Sequence, residues 1–331
     1  MTGRLTTVIA RIFAIPLVAA LAISSAWGAP WLYQLQNPSP RAIRASGFRA
    51  AVVDYSRDGS DAGRLPPGQV KALGRAGIRT LAYLSIGEAE NYRFYWRADW
   101  VARRNSNAFT AAAPSWLGHT NPDWVGNYKV RYWDPAWRET VLRPYLDRIA
   151  RQGFTGVYLD IIDAYEYWAA SASYGGGGEV WQPGDPRGDR AEAARRMIDL
   201  VVWIAEYLRF ATGHRMLVFP QNAEDILRYD TGGKYRRAIS GIGVEDLFYN
   251  ETVRQSAGET NYRLRYLRKL CTTGRKVLCV DYVDTGDRED PANVARIADF
   301  VARCRAEGFD FYVARKDREL DRINRVPGVQ P

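Results

Sequence analysis

Between Gly153 and Trp168 an apolar run, Val157-Tyr-Leu159, ends in Asp160, and Asp163 and Glu166 follow among Tyr165, Tyr167 and Trp168. Three carboxyl groups set among rings at the end of a buried strand could do acid/base work on a glycosidic bond. That reaction is carried by a pair of carboxyls, one kept protonated for the leaving oxygen and one kept ionised as nucleophile or base. The rings could stack on sugar faces. A strand-end aspartate can equally cap the next helix, so Asp160 alone decides nothing.

The other apolar runs end in the same way. Asp54 closes the second, Glu88 and Glu90 follow the third, and Asn222, Glu224 and Asp225 follow the fifth. Glu245 and Asp246 close the sixth, and Asp281 and Asp284 lie on or after the seventh. A ring of acids at strand ends has no structural necessity, because carboxylates buried near one another rise in pKa and cost stability. Capping and hydrogen-bonding support account for part of the ring; function is the economical reading of the rest.

The elements that must hold these residues are eight short apolar runs: Trp31 to Gln36, Ala50 to Tyr55, Thr80 to Ile86, Gly156 to Ile161, Met216 to Gln221, Ile242 to Leu247, Lys276 to Val283 and Phe309 to Ala314. Several are continuously apolar, as parallel strands covered on both faces require, and the segments between them carry helical spacing, as in Arg138 to Arg151 and Ala191 to Thr212. Gly77, Gly153, Gly213 and Gly308 each stand where a left-handed residue would stop a helix just before a strand. Eight such units in 331 residues predict an α/β fold, a single (β/α)8 TIM-type barrel, with long loops after strands 3 and 4, Gly87 to Lys129 and Ala169 to Arg190. Both loops would rise on the face where barrels keep their active sites.

Several classes find no support. There is no Gly-x-Gly-x-x-Gly after the first strand, no phosphate-binding loop and no Gly-x-Ser-x-Gly, and the Gly175 to Gly178 run reads as a loop insertion. The two histidines, His119 and His214, stand far apart and form no ligand-spaced motif, so no metal and no cofactor is expected.

Arg4 and Arg11, an apolar stretch from Ile12 to Ile23 and the small residues Ala26 and Gly28 predict a signal peptide over 1–28, leaving the barrel domain as 29–331. An uncleaved membrane anchor is the alternative, disfavoured because the apolar stretch is shorter than the roughly 20 residues a span needs, and no other segment could cross a bilayer, so no span is expected after signal removal. A secreted or periplasmic bacterial protein follows, and a monomer is expected. Losing the two arginines takes the formal charge from +9 to +7. That surplus is scattered along helices and reads as solvated surface, with no nucleic acid as partner. Of the three cysteines, Cys279 reads as a buried thiol, and Cys271 and Cys304 could pair.

Five segments then occur in a consistent order. They are Tyr83-Leu-Ser-Ile-Gly87-Glu88-Ala-Glu90, Arg131-Tyr-Trp-Asp134-Pro-Ala-Trp137, Gly153-Phe-Thr-Gly-Val-Tyr-Leu-Asp160, Pro220-Gln-Asn222-Ala-Glu224 and Gly243-Val-Glu245-Asp-Leu-Phe-Tyr249-Asn. Together they resemble glycoside hydrolase family 114, endo-α-1,4-polygalactosaminidases and related proteins, from about Trp31 to Arg315. The resemblance implies a barrel acting on a galactosamine-containing exopolysaccharide, with Asp160 of the fourth strand and Glu245 of the sixth as the catalytic pair. By analogy with barrels that use those strands, Asp160 would be the nucleophile and Glu245 the acid/base. Asp54, Tyr83, Glu88, Asp163, Asn222 and Asp281 are candidates for holding sugar hydroxyl or amino groups. Tyr165 and Trp168, with Trp133 and with Tyr92, Tyr95, Trp96 and Trp100, could line a glycan groove; for the last four an aromatic helix face packed into core is the alternative. A non-catalytic glycan-binding barrel is the alternative function; the presence of both Asp160 and Glu245 favours the enzyme.

Overall fold

The computed structural model describes residues 30–170, 181–213 and 215–331. The expected signal segment, the Gly175 to Gly178 run and His214 lie outside the described residues. Eight parallel strands form the frame: β1 (Trp31–Gln34), β2 (Ala50–Val53), β3 (Arg79–Ser85), β4 (Gly156–Asp160), β5 (Leu217–Pro220), β6 (Gly241–Glu245), β7 (Lys276–Asp284) and β8 (Asp310–Arg315). Strands β1 to β5 pair in sequence order, with Ala50 beside Arg79 and Ser85 beside Asp160, and β6, β7 and β8 form a second ladder. The Gln221–Gly243 bridge joins the two ladders on one side. On the other, Trp31 Nε1 donates to the Asp310 carbonyl at 3.1 Å. This is the (β/α)8 barrel that the strand count anticipates, with its last seams held by scattered bonds instead of full ladders; across β5–β6, Ser240 N donates to the Val218 carbonyl and Asn222 N to the Gly243 carbonyl, both at 2.8 Å.

Helices follow the strands: α1 (Pro40–Arg44), α2 (Pro67–Arg75), α3 (Arg143–Gln152), α4 (Arg190–Thr212), α5 (Lys234–Ala238), α6 (Ala257–Cys271) and α7 (Pro291–Glu307). Their ends obey local rules. Asp189, Ser256 and Asp290 cap α4, α6 and α7 by accepting from backbone N–H groups of the first turn. Gly153, Gly213 and Gly308 end α3, α4 and α7 in the left-handed region, at φ of 91°, 68° and 70°. After β8 the segment 316–331 lies along the β8–β1 seam. The Leu320 carbonyl accepts from Leu35 N and Gln36 N, and Gln330 bonds both the N–H and the carbonyl of Val313.

The long loop after β3 carries structure of its own. Glu88–Glu90, Leu117–Thr120 and Asn127–Val130 make a small antiparallel sheet, with Glu88 opposite Lys129. Rings fill its underside: Trp96 packs on Tyr128 at 4.6 Å, Trp100 on Trp116 at 5.2 Å and Trp116 on Trp137 at 4.7 Å. For Trp96 and Trp100 the packed-core alternative therefore holds, whereas Tyr92 is 44% exposed. The cysteine pairing is corrected. Cys304, on the inner face of α7, meets Cys279 of β7 instead of Cys271, and all three thiols are free.

Candidate active site

The strand pleat decides which side chains meet at the top of the barrel, since residues two apart share a face. On β4, Tyr158 and Asp160 point the same way. On β6 the corresponding positions are Gly241, Gly243 and Glu245, two glycines below one acid. A Cβ at Gly243 would lie 1.8 Å from the Tyr158 hydroxyl, and one at Gly241 would lie 2.3 Å from the Phe219 ring. The missing side chains of β6 thus let rings from β4 and β5 cross the interior, and the floor beneath the two carboxyls is aromatic.

Asp160 is half-buried. Its Oδ2 accepts from the Tyr83 hydroxyl at 2.6 Å and its Oδ1 from Ile161 N at 2.8 Å. Burial pushes its carboxyl up to about 7, and the negative charge of Glu245 adds to the rise while the Tyr83 hydrogen bond opposes it. Glu245, also half-buried, is raised by burial, against the donors that surround it. Tyr282 of β7 donates its hydroxyl to Oε1, and Gln221 donates its amide to Oε2. Gln221 is itself held by the Tyr33 hydroxyl, which donates to Oε1 of the amide at 3.1 Å. Asn222 accepts from Glu245 N at 2.9 Å.

The turns behind these acids are strained. Ile161, Asn222, Ala223 and Asp246, each just past the end of β4, β5 or β6, have φ of 60°, 56°, 51° and 52°. A β-branched residue such as Ile161 rarely adopts that conformation, and strain of this kind gathers where side chains must be aimed. Gly87 permits the Ile161 turn, because a Cβ there would come within 2.3 Å of the Ile161 carbonyl.

Of the eight residues expected to bind sugar, Tyr83 and Asn222 touch the pair directly. Asp163 is exposed beside it, near Lys129 and Glu88. The other five sit elsewhere. Asp54 is buried against Arg93, 2.7 Å from Nη1, and Arg93 also bonds Glu90. Glu88 is fully buried and accepts from Lys129, Asn121 and Asn127. Asp281 is fully buried and accepts from the N–H groups of Leu247, Phe248 and Tyr249, each at 2.9 Å, so it holds the loop after β6. Tyr165 and Trp168 are fully buried as well. Tyr165 donates to Asp225 at 2.6 Å, and Trp168 donates to the Val130 carbonyl with Arg131 over its ring. Neither ring is open to a groove: the helix Ala164–Ala169 turns them into the packing between α4 and the β3 loop.

Sequence reasoning missed Tyr33, Tyr158, Gln221, Tyr282 and Arg318. The first four lie in or beside strands where rings and amides read as core. A separate recess lined by Phe248, Arg254, Thr260, Arg268, Arg303 and Glu307 lies between α6 and α7, and neither paired carboxyl lines it.

The arrangement is two carboxyl groups, both raised by burial, set among neutral donors at the C-terminal end of parallel strands. Such a pair can divide proton donation and nucleophilic attack between its members. No helix among the described residues is long and apolar enough to cross a membrane.

Known proteins bear on this site. The chain is 41% identical over 327 residues to an uncharacterized protein of Thermotoga maritima, covering 98% of this chain and 93% of that one. It is 40% identical over 294 residues to uncharacterized protein MJ1477 of Methanocaldococcus jannaschii, covering 89% and 78%. Among solved structures, the glycoside hydrolase domain of PelA from Pseudomonas aeruginosa superposes with a TM-score of 0.60 at 17% identity, over 88% of this chain and 95% of that one. Aspergillus fumigatus Ega3, solved in complex with galactosamine, gives 0.60 at 15% identity over 90% and 95%. These two likenesses support the barrel fold. The model of glycoside-hydrolase family GH114 matches residues 17–330, nearly the whole chain, and the protein therefore belongs to that family.

Proposed function

We propose that this glycosidase cleaves α-1,4-linked, galactosamine-containing exopolysaccharide, with Asp160 as nucleophile and Glu245 as acid/base. The observation that carries the reading is the contrast among the strand-end acids. Asp54, Glu88 and Asp281 are buried and committed to cations or backbone N–H groups, whereas Asp160 and Glu245 stay half-exposed and are aimed by neutral donors.

The donors around both acids accommodate these roles. Both oxygens of Glu245 accept hydrogen bonds in its ionised form, and a protonated Glu245 keeps the contact with Tyr282 by reversing that hydroxyl. Asp160, with Oδ1 fixed by Ile161 N and Oδ2 by Tyr83, is held in one orientation. An amino sugar without its acetyl group is cationic, and an ammonium bound beside the pair lowers both carboxyl pKa values, favouring the ionised nucleophile. The galactosamine reading is supported by the family resemblance and by the ligand of the Ega3 structure.

The test is reducing-end release from partially deacetylated α-1,4-galactosaminogalactan. Asp160→Asn and Glu245→Gln each lose about 10²-fold or more of the wild-type rate, with circular dichroism unchanged. Full activity in either variant sinks the pair. Binding of the polymer by the wild type without cleavage favours the non-catalytic glycan-binding alternative. The same reading takes the protein as exported, monomeric and trimmed after Gly28, which N-terminal sequencing and light scattering of the exported form check.

A further inference from the structure

Arg318 stands on the segment that follows β8, far in sequence from every strand-end acid, yet it reaches the environment of Glu245. Its guanidinium lies over the Tyr282 ring, 4.2 Å from the centroid, and its Nη2 donates to both oxygens of Asp246 at 2.8 Å and to Asn250 Oδ1 at 3.0 Å. The ring it covers is the one whose hydroxyl donates to Glu245, and the carboxylate it binds belongs to the next residue along the chain. Arg318 itself has a φ of 58°, so its backbone adopts a conformation uncommon for a long side chain.

We propose that Arg318 is a positioning residue of the active site: it clamps Tyr282 and neutralises Asp246, so that Glu245 meets a fixed hydroxyl donor and no uncompensated neighbouring charge. The proposal rests on the glycosidase reading given above.

Every element around Glu245 contributes to its charge environment. From β1 and β4 come the Tyr33 and Tyr158 hydroxyls and the Asp160 carboxyl. From the β5 loop come the neutral amides of Gln221 and Asn222. From α6, Arg263 donates to the Glu245 carbonyl at 2.9 Å, but its charge is met by Glu224. Asp246 raises Glu245 and Arg318 lowers it. Glu251, 3.8 Å from Arg318 Nε, is the remaining acid on the clamp. Within this set Arg318 is the cation placed on both the donor ring and the adjacent acid.

Arg318→Met keeps the length of the stem and removes the charge. Asp246 then acts on Glu245 uncompensated, and the limb of the kcat/KM profile that Glu245 controls moves to higher pH by about one unit, with kcat falling more than KM rises. Arg318→Lys recovers most of the limb position and less of kcat, because an ammonium restores charge without the planar stack. Asp246→Asn in the Arg318→Met background returns the limb toward the wild type, and Asn tolerates the left-handed backbone at 246. Arg322→Met removes an equal charge from the same segment and leaves the profile in place.

A second readout is independent of turnover: the carbon-13 titration of the Glu245 carboxyl, assigned by its loss in Glu245→Gln. An upward move of that titration in Arg318→Met supports the clamp even if no polysaccharide is cleaved, in which case the glycosidase reading alone fails. An unmoved titration with intact fold overturns the clamp whatever the activity.

Discussion

Tyr83 is the residue on which the state of Asp160 turns. Its hydroxyl donates at 2.6 Å to Oδ2, and that bond favours the ionised carboxylate against the burial that raises it. Hydrogen bonds to charged groups contribute about 1.5–3 kcal/mol, so Tyr83→Phe is expected to lower kcat roughly 10- to 100-fold. It also moves the limb controlled by Asp160 to higher pH, because losing the donor leaves burial less opposed. A pH–rate profile of Tyr83→Phe with a limb that stays in place would remove Tyr83 from the site. Tyr83 was legible because it opens a segment that runs into Gly87 and Glu88. Tyr282 was not, although it touches Glu245, and the pleat explains why. Asp281 looks like the chemical residue of β7 and Tyr282 like packing, but neighbours on a strand face opposite ways. Here it is the tyrosine that faces the pair, while the aspartate ties down the loop after β6.

At the scale of elements, the eight apolar runs match the eight strands within one or two residues at each end, because continuous burial on both faces leaves a plain hydropathy signal. The glycines before strands are equally legible, since only the left-handed turn demands them at those positions. The small sheet in the β3 loop was not, because its three strands are short, the first stands well before the other two in the chain, and the rings that back it meet only in three dimensions. The same limit hid the fate of Tyr165 and Trp168, whose acidic and aromatic surroundings in sequence say nothing about which way a short helix turns them. Strand β6 offers the sharpest element-level test. Its inward positions are Gly241, Gly243 and Glu245, and the Tyr158 ring that fills the space over Gly243 is fully buried. In Gly243→Ala the new methyl group must displace either the ring or the strand that carries Glu245. Overpacking of this kind costs about 1–3 kcal/mol or more, so both Tm and kcat are expected to fall. Pairing Gly243→Ala with Tyr158→Leu recovers stability if the ring is the obstacle. A double variant no more stable than Gly243→Ala would place the strain elsewhere.

For the whole molecule, the cost of the site is an array of buried acids, and that cost has a pH signature. Asp160 and Asp281 are each raised by burial to about 7, and Asp54 and Glu245 are raised as well. An acid whose folded pKa exceeds its unfolded value binds more protons in the native state, so stability falls as pH climbs between the two values and then levels off. For Asp160 that window runs from 3.8 to about 7. Groups held low, such as Asp284 beside Arg288 and Asn324, act in the opposite sense at acid pH, so the wild-type curve alone mixes the two. The difference between wild type and Asp160→Asn isolates one group. The amide keeps an acceptor for Tyr83 or Ile161 and never has to ionise, so the variant is expected to be the more heat-stable protein at pH 8 even as its turnover is expected to fall. Its advantage in Tm should vanish near pH 4, grow through the window and stay constant above it. An advantage that does not change with pH would mean that the Asp160 carboxyl carries no ionisation penalty in the folded protein. Its rise would then have to be relieved by a partner other than Tyr83 and Ile161, and Tyr83→Phe would leave the pH dependence of Tm as it is in the wild type.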